Sequence, residues 1–206
     1  MKRLIVVGAA ALPLLLFLVG CEQIFSTNIF SGLDRDPSRL SFEQQVNYGR
    51  QAVHSGDRKK MAKAYDALAD SLQDNNNTDP ELNSLAATLA LGASGLSGLL
   101  ADFFELANNT SFGDAAALGA ALDDKLDKVN YSYIEAAVDQ IEAIRTNGGT
   151  PSEQQYVFAA IGLVLKAGSE NTDQIVGSDT TELDALLTLF AQDYADSSYL
   201  EQLQKL

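Results

Sequence analysis

Side chains that most readily do chemistry are scarce in this chain. Its 206 residues hold one cysteine, Cys21, and one histidine, His54. A structural zinc site takes four Cys or His ligands and a catalytic one at least two, with a third from His, Cys or a carboxylate, while a Cys-His nucleophile needs both partners in the folded domain. Neither can be assembled here, and a lone histidine on a helix is expected to be a packed or surface residue. Carboxylates are plentiful, at 28 Asp and Glu, but a glycosidase pair is recognised by separation in space rather than along the chain. The run Asp74, Asn76, Thr78 begins like a calcium loop. It fails at the sixth and twelfth places, where Asp79 and Leu85 stand instead of glycine and glutamate. Asp123, Asp124 and Asp127 alternate with Lys125 and Lys128, the pattern of a solvated helix face. The cluster LGASGLSG, residues 91 to 98, matches no phosphate loop and no nucleophile elbow. No catalytic residue, metal or cofactor is expected.

The elements around Cys21 give it a different role. Lys2 and Arg3 precede LIVVGAAALPLLLFLV, residues 4 to 19, which carries no charge and is interrupted by Pro13. This is the layout of a secretory leader, slightly short for a spanning helix. The leader closes on Leu18-Val19-Gly20-Cys21, which resembles a bacterial lipobox. The resemblance implies a diacylglyceryl group on the Cys21 sulfur, cleavage before it, and acylation (palmitate or a similar chain) of the new amino group. Several chains hold a protein at a membrane where one does so only marginally. Residues 1–20 are then a signal peptide, and residues 21–40, with no lasting period, a lipidated tether. Glu22 stands where inner-membrane retention in that family uses aspartate, so the expected place is the outer membrane facing the periplasm.

Charge narrows the partners. The net charge is −14, and losing Lys2 and Arg3 with the leader would bring it to −16. Phosphate recognition draws on clustered Lys and Arg, so no nucleic-acid partner is expected. The same balance argues against docking of the folded domain on anionic headgroups.

Residues 41–206 suit one domain, and their punctuation is helical. Ser41 with Gln44 makes a capping box for a helix to about Ser55, and Gly56-Asp57 turns the chain into a second helix to about Leu72. Asp79 and Pro80 open a third, to about Ala107, with a break or bend expected at Gly92, Gly95 and Gly98. A fourth runs from Asp114 to Val129, and a fifth from Ser132 to Arg145, ended by Asn147-Gly148-Gly149. Thr150-Pro151-Ser152-Glu153 caps a sixth, to Gly168, and Asp179 or Thr180 a last one reaching almost to the C-terminus. No alternating strand pattern occurs. The expected fold is all-α, with antiparallel helix pairs in a partial solenoid or an irregular bundle of about seven helices.

NYGRQAVHSGDRKKMAKAYDAL, residues 47 to 68, resembles a tetratricopeptide unit. Gly49 and Ala52 fall at its small first-helix positions, Gly56 at its turn, and Ala64, Tyr65 and Leu68 along its second helix. Met61 departs from it, standing where the family has alanine. FAAIGLVLKAGSENTD, residues 158 to 173, is a fainter echo, with no regular period between the two. The layout is similar to tetratricopeptide-like bacterial lipoproteins, including T-component accessory lipoproteins of solute transporters.

These observations lead to a lipid-anchored envelope protein that binds a protein partner as an adaptor, without catalytic activity. Two alternatives stay open. One is an accessory component of solute transport, with Gly92, Gly95 and Gly98 lining a ligand cavity. The other is an envelope hydrolase.

Overall fold

The stretch Leu85 to Ser94, LAATLALGAS, is apolar or small on every side, and a helix of that kind belongs inside. The computed structural model, which describes residues 36–74, 78–99, 126–170 and 181–203, places it there. Seven α-helices with both ends described, one 3-10 turn, a further helical stretch at 96–99 and no strand occur among the described residues. The helices are α1 (Phe42–Ser55), α2 (Arg58–Asp74), α3 (Pro80–Ser94), α4 (Tyr131–Thr146), α5 (Glu153–Glu170), α6 (Thr181–Asp193) and α7 (Ser198–Leu203). The protein is all-α, as its sequence implies. The expected fourth helix, from Asp114 to Val129, lies almost wholly outside the described residues.

α3 is the hub and touches α1, α2, α4 and α5. Only Glu81 of its residues is exposed. One of its faces, Ala86, Leu89 and Ala93, completes a core with Val46, Ala52, Met61, Ala64, Leu68 and Leu72 of α1 and α2. The opposite face, Ala87, Ala90 and Leu91, joins a second core that includes Ile134, Ile141, Tyr156, Leu186 and Phe190. Tyr65 packs against both cores. Each fully buried Leu, Ile or Phe contributes about 1.5–3 kcal/mol, while the alanines let α3 sit close to its neighbours.

Polar contacts at the helix ends give the pairing its direction. Ser71, late in α2, bonds Gln45, early in α1 (2.5 Å), so α1 and α2 run antiparallel. Gly149, after α4, lies against Pro80 at the start of α3. At the other end, Asn130 N–H donates to the Ser94 carbonyl (2.9 Å), so α3 and α4 are antiparallel too. Lys166, late in α5, pairs with Glu135, early in α4. Tyr156, early in α5, bonds Asp193 at the end of α6 (2.6 Å). α1 also meets α3, and α3 meets α5, while α1–α2, α3–α4 and α5–α6 lie against each other.

Three boundaries differ from the sequence expectation. The long third helix stops at Ser94, where Gly95 turns left-handed (φ 82°); the remainder to Ala107 is helical at 96–99 and then passes outside the described residues. α5 is capped by Ser152 rather than Thr150. Ser152 and Gln155 exchange reciprocal bonds (2.8 and 3.3 Å), and Pro151 is buried with its carbonyl accepting from Tyr194 Oη (3.0 Å). The last helix is interrupted at Tyr194–Ser197, because Tyr194 is held to Pro151 and Ser197 restarts the chain. The Ser197 hydroxyl accepts from the N–H groups of Tyr199 and Leu200 (3.2 and 3.4 Å) and donates to Glu153 (2.5 Å). Pro37–Arg39, at the end of the stretch read as tether, form the 3-10 turn and pack on α1 and α2.

Candidate interaction surface

The α1–α2 hairpin carries most of the residues singled out by type and spacing. Its entry is the Ser41 capping box, with Ser41 N–H donating to Gln44 Oε1 (3.1 Å). Its turn is Gly56, left-handed at φ 64° with open space beside it, a conformation glycine adopts at no steric cost. Ala52, Ala64 and Leu68 are buried, and Tyr65 meets the Tyr133 ring edge-on (centroids 5.7 Å). Gly49 has a different neighbour from the one expected. A Cβ there would lie 3.1 Å from Leu89 and 3.5 Å from Leu85, so its smallness admits α3 rather than the paired helix α2.

Gly92, Gly95 and Gly98 are accounted for singly. A Cβ on Gly92 would run into Met61 Sδ, so the methionine that departs from the repeat pattern fills space that the glycine leaves. A Cβ on Gly95 would lie 2.5 Å from the Arg58 guanidinium. Gly98 is exposed, with nothing against its Cβ position. Side chains therefore occupy the space beside Gly92 and Gly95, two of the three glycines read as cavity lining. Cys21 and its lipobox neighbours Leu18, Val19 and Gly20 lie outside the described residues, as do Asp123 and Asp124.

Arg58 was not anticipated. Its guanidinium donates to the carbonyls of Ala93 (2.9 Å), Ser94 (2.9 Å) and Lys128 (2.7 Å). It thus neutralises the C-terminal end of α3, where carbonyls lack helical partners. A second node joins α4, α5 and α6. Tyr156, fully buried, stacks on Phe190 (centroids 5.0 Å) and donates to Asp193. Arg145 lies 3.5 Å from the same carboxylate and donates to the Leu189 carbonyl (2.8 Å). Burial, and then the bond to Asp193, raise the Tyr156 phenol far above its ordinary range. Both nodes use their polar atoms internally, which makes them clamps rather than reaction centres.

Carboxylates and phenols gather where α2 faces α4. Tyr133 Oη donates to both Asp66 oxygens (3.0 and 3.2 Å). Burial foremost, with the charges of Asp139 and Asp66 behind it, pushes Tyr65 up to about 12. Partial desolvation and the neighbouring Glu135 carboxylate raise Asp139. Among the described residues no group of three His, Cys, Asp or Glu is placed to hold a metal ion.

Two exposed features remain. α1 presents a polar stripe of Glu43, Asn47, Arg50 and His54, spaced four, three and four apart, which puts them on one face. At its end the turn is flanked by Lys59, Lys60 and Lys63, all exposed. The only large apolar side chain strongly exposed among the described residues is Tyr199, so the outward faces are polar. No helix of the described residues is long and apolar enough to cross a membrane. No protein-family model, curated protein or solved structure matches this chain.

Proposed function

We propose that the protein is a lipid-anchored adaptor of the bacterial cell envelope, non-catalytic, which offers the outer polar face of its first helix to a protein partner. The observation that carries this reading is the neighbour order of the helices. α1 meets α3 and α3 meets α5, and α1–α2, α3–α4 and α5–α6 pair antiparallel, with residues 95–130 between α3 and α4. This is the order of stacked helix pairs, in which each unit touches only its neighbours and one row forms an extended binding surface. The hairpin at residues 47 to 68, with Gly49, Ala52, Gly56, Ala64, Tyr65 and Leu68 at packing or turn positions, supports the likeness to a tetratricopeptide unit. The leader ending in Cys21 supports the anchor.

The test is site-directed photocrosslinking in native membranes from Asn47 or Gln51 on α1, with Glu142 on α4 as an exposed control position and Cys21→Ser as the unanchored chain. One partner captured from α1, absent from the Glu142 position and lost on Cys21→Ser, is the expected result. Its identity would separate a general adaptor from a transporter accessory. Equal labelling from all positions, or none, overturns the proposal.

A further inference from the structure

The cations of this chain are concentrated. Five of its 14 Lys and Arg residues, Arg50, Arg58, Lys59, Lys60 and Lys63, fall within 14 positions that hold one carboxylate, Asp57. The α1–α2 turn sets Lys59, Lys60 and Lys63 on the first turns of α2 beside Arg58, while Arg50 and His54 lie four apart on the last turns of α1. All are exposed. Lys128 is adjacent, since its carbonyl accepts from Arg58.

The helix gains nothing from this arrangement. α2 opens Arg58-Lys59-Lys60 with no acid in its first turn, although the positive end of the helix dipole favours the opposite. Arg58 has a structural reason, the end of α3. Lys59 and Lys60 make no ion pair among the described residues, and their charges act only on the capping Asp57. Asp57 Oδ1 accepts from their backbone N–H groups (2.9 and 3.1 Å). Its partners hold it below the ordinary carboxylate range, so it stays charged as the cap of α2. Among the described residues, Asp127 beside Lys128 and Asp66, three residues after Lys63, are further exposed acids near this end.

We infer that the α1–α2 turn is a cationic foot that sets the domain on an anionic phospholipid surface. The inference rests on the anchored reading above, which brings the domain to a membrane. The net charge, −14 in full and −16 once Lys2 and Arg3 leave with the leader, opposes docking of the domain as a whole, so the contact must be local to the turn. Screening reaches about 8 Å at physiological ionic strength, and α1 alone is about 21 Å long. The headgroups therefore feel the foot, while the acidic remainder is held away and orients the molecule. Contact at headgroup depth also suits a surface of lysines without exposed large apolar side chains. A tether covering residues 22–36 reaches at most about 50 Å, more than the length of α1, so it permits the approach.

The test is flotation of residues 21–206 carrying Cys21→Ser, free of both the acyl chains and the apolar leader, with phosphatidylglycerol–phosphatidylcholine vesicles and with phosphatidylcholine alone. The expected result is a preference for the anionic vesicles that high salt abolishes. K59Q/K60Q should weaken that preference about 25-fold, at roughly fivefold per lysine. K59R/K60R should keep it, and an unchanged thermal melt would show that the variants fold. Equal partition between the vesicles, or an anionic preference untouched by K59Q/K60Q, overturns the proposal; an acidic protein as the true occupant would give the first of these. The anchor fails separately, through the mass of the wild-type chain extracted from membranes without acyl groups.

Discussion

Met61 and Gly92 show what a single side chain decides here. A methionine on α2 projects into the space where α3 has no side chain, and the two positions are complementary as a pair. Gly92→Ala should cost about 1–3 kcal/mol through overpacking, and Met61→Ala about 2 kcal/mol or more through a cavity. Joined, they restore an alanine–alanine contact, so the double variant should lose less than the sum of the two. Denaturant unfolding of all four proteins checks this; strict additivity would mean that the two residues do not share the space. At Arg58 the geometry rather than the charge matters. A guanidinium reaches three carbonyls on two segments, which an ammonium cannot do from one position. Arg58→Lys should therefore lose about 2 kcal/mol in the same measurement, while preserving the net charge.

At the scale of the element, short-range chemistry is what the sequence makes legible. The Ser41 box, the Gly56 turn, the Asp79-Pro80 start and the Asn147-Gly148-Gly149 stop all stand where their residues place them. The misses have tertiary causes. Thr150 with Glu153 and Ser152 with Gln155 are competing boxes, and local spacing favours neither. The second prevails because Gln155 Nε2 also reaches the Ser84 carbonyl and Thr88 on α3 (2.9 and 3.1 Å), which spacing does not reveal. Ser152→Ala should then destabilise the protein by about 1 kcal/mol, whereas Thr150→Ala should change it by no more than a few tenths. Thermal melts of the two variants distinguish the boxes, and the reverse ranking would restore Thr150 as the cap. The break between α6 and α7 has the same origin, since Tyr194 is held by Pro151 from a distant segment. The exposed lysines were visible in sequence as Arg58-Lys59-Lys60, beside a turn and against the helix dipole.

Across the whole molecule, an acidic chain folds two helices so that carboxylates and phenols face each other, and pH must register it. Asp139, exposed on α4, has its proton affinity raised above the ordinary 3.8 by partial desolvation first and Glu135 second, an effect that solvent screening keeps small. The folded state therefore holds that proton more tightly than the unfolded chain, and stability is lost as pH rises above 3.8 through the folded value. Ionised Asp139 costs stability at neutral pH, so Asp139→Asn should raise the melting temperature at pH 7 and leave it unchanged below 3.8. The alkaline arm follows the same sign. Tyr65 moves from 10.0 to about 12, its phenol kept neutral inside, so stability falls as pH climbs from 10 towards 12. Asp139 is the largest charge acting on Tyr65 after burial. Asp139→Asn should for that reason also flatten the alkaline slope, although residue 139 itself does not titrate there. Melting curves from pH 3 to 11 would read both arms in one variant. A gain at pH 7 without a gentler alkaline slope would separate Asp139 from Tyr65 and break the electrostatic link between α2 and α4.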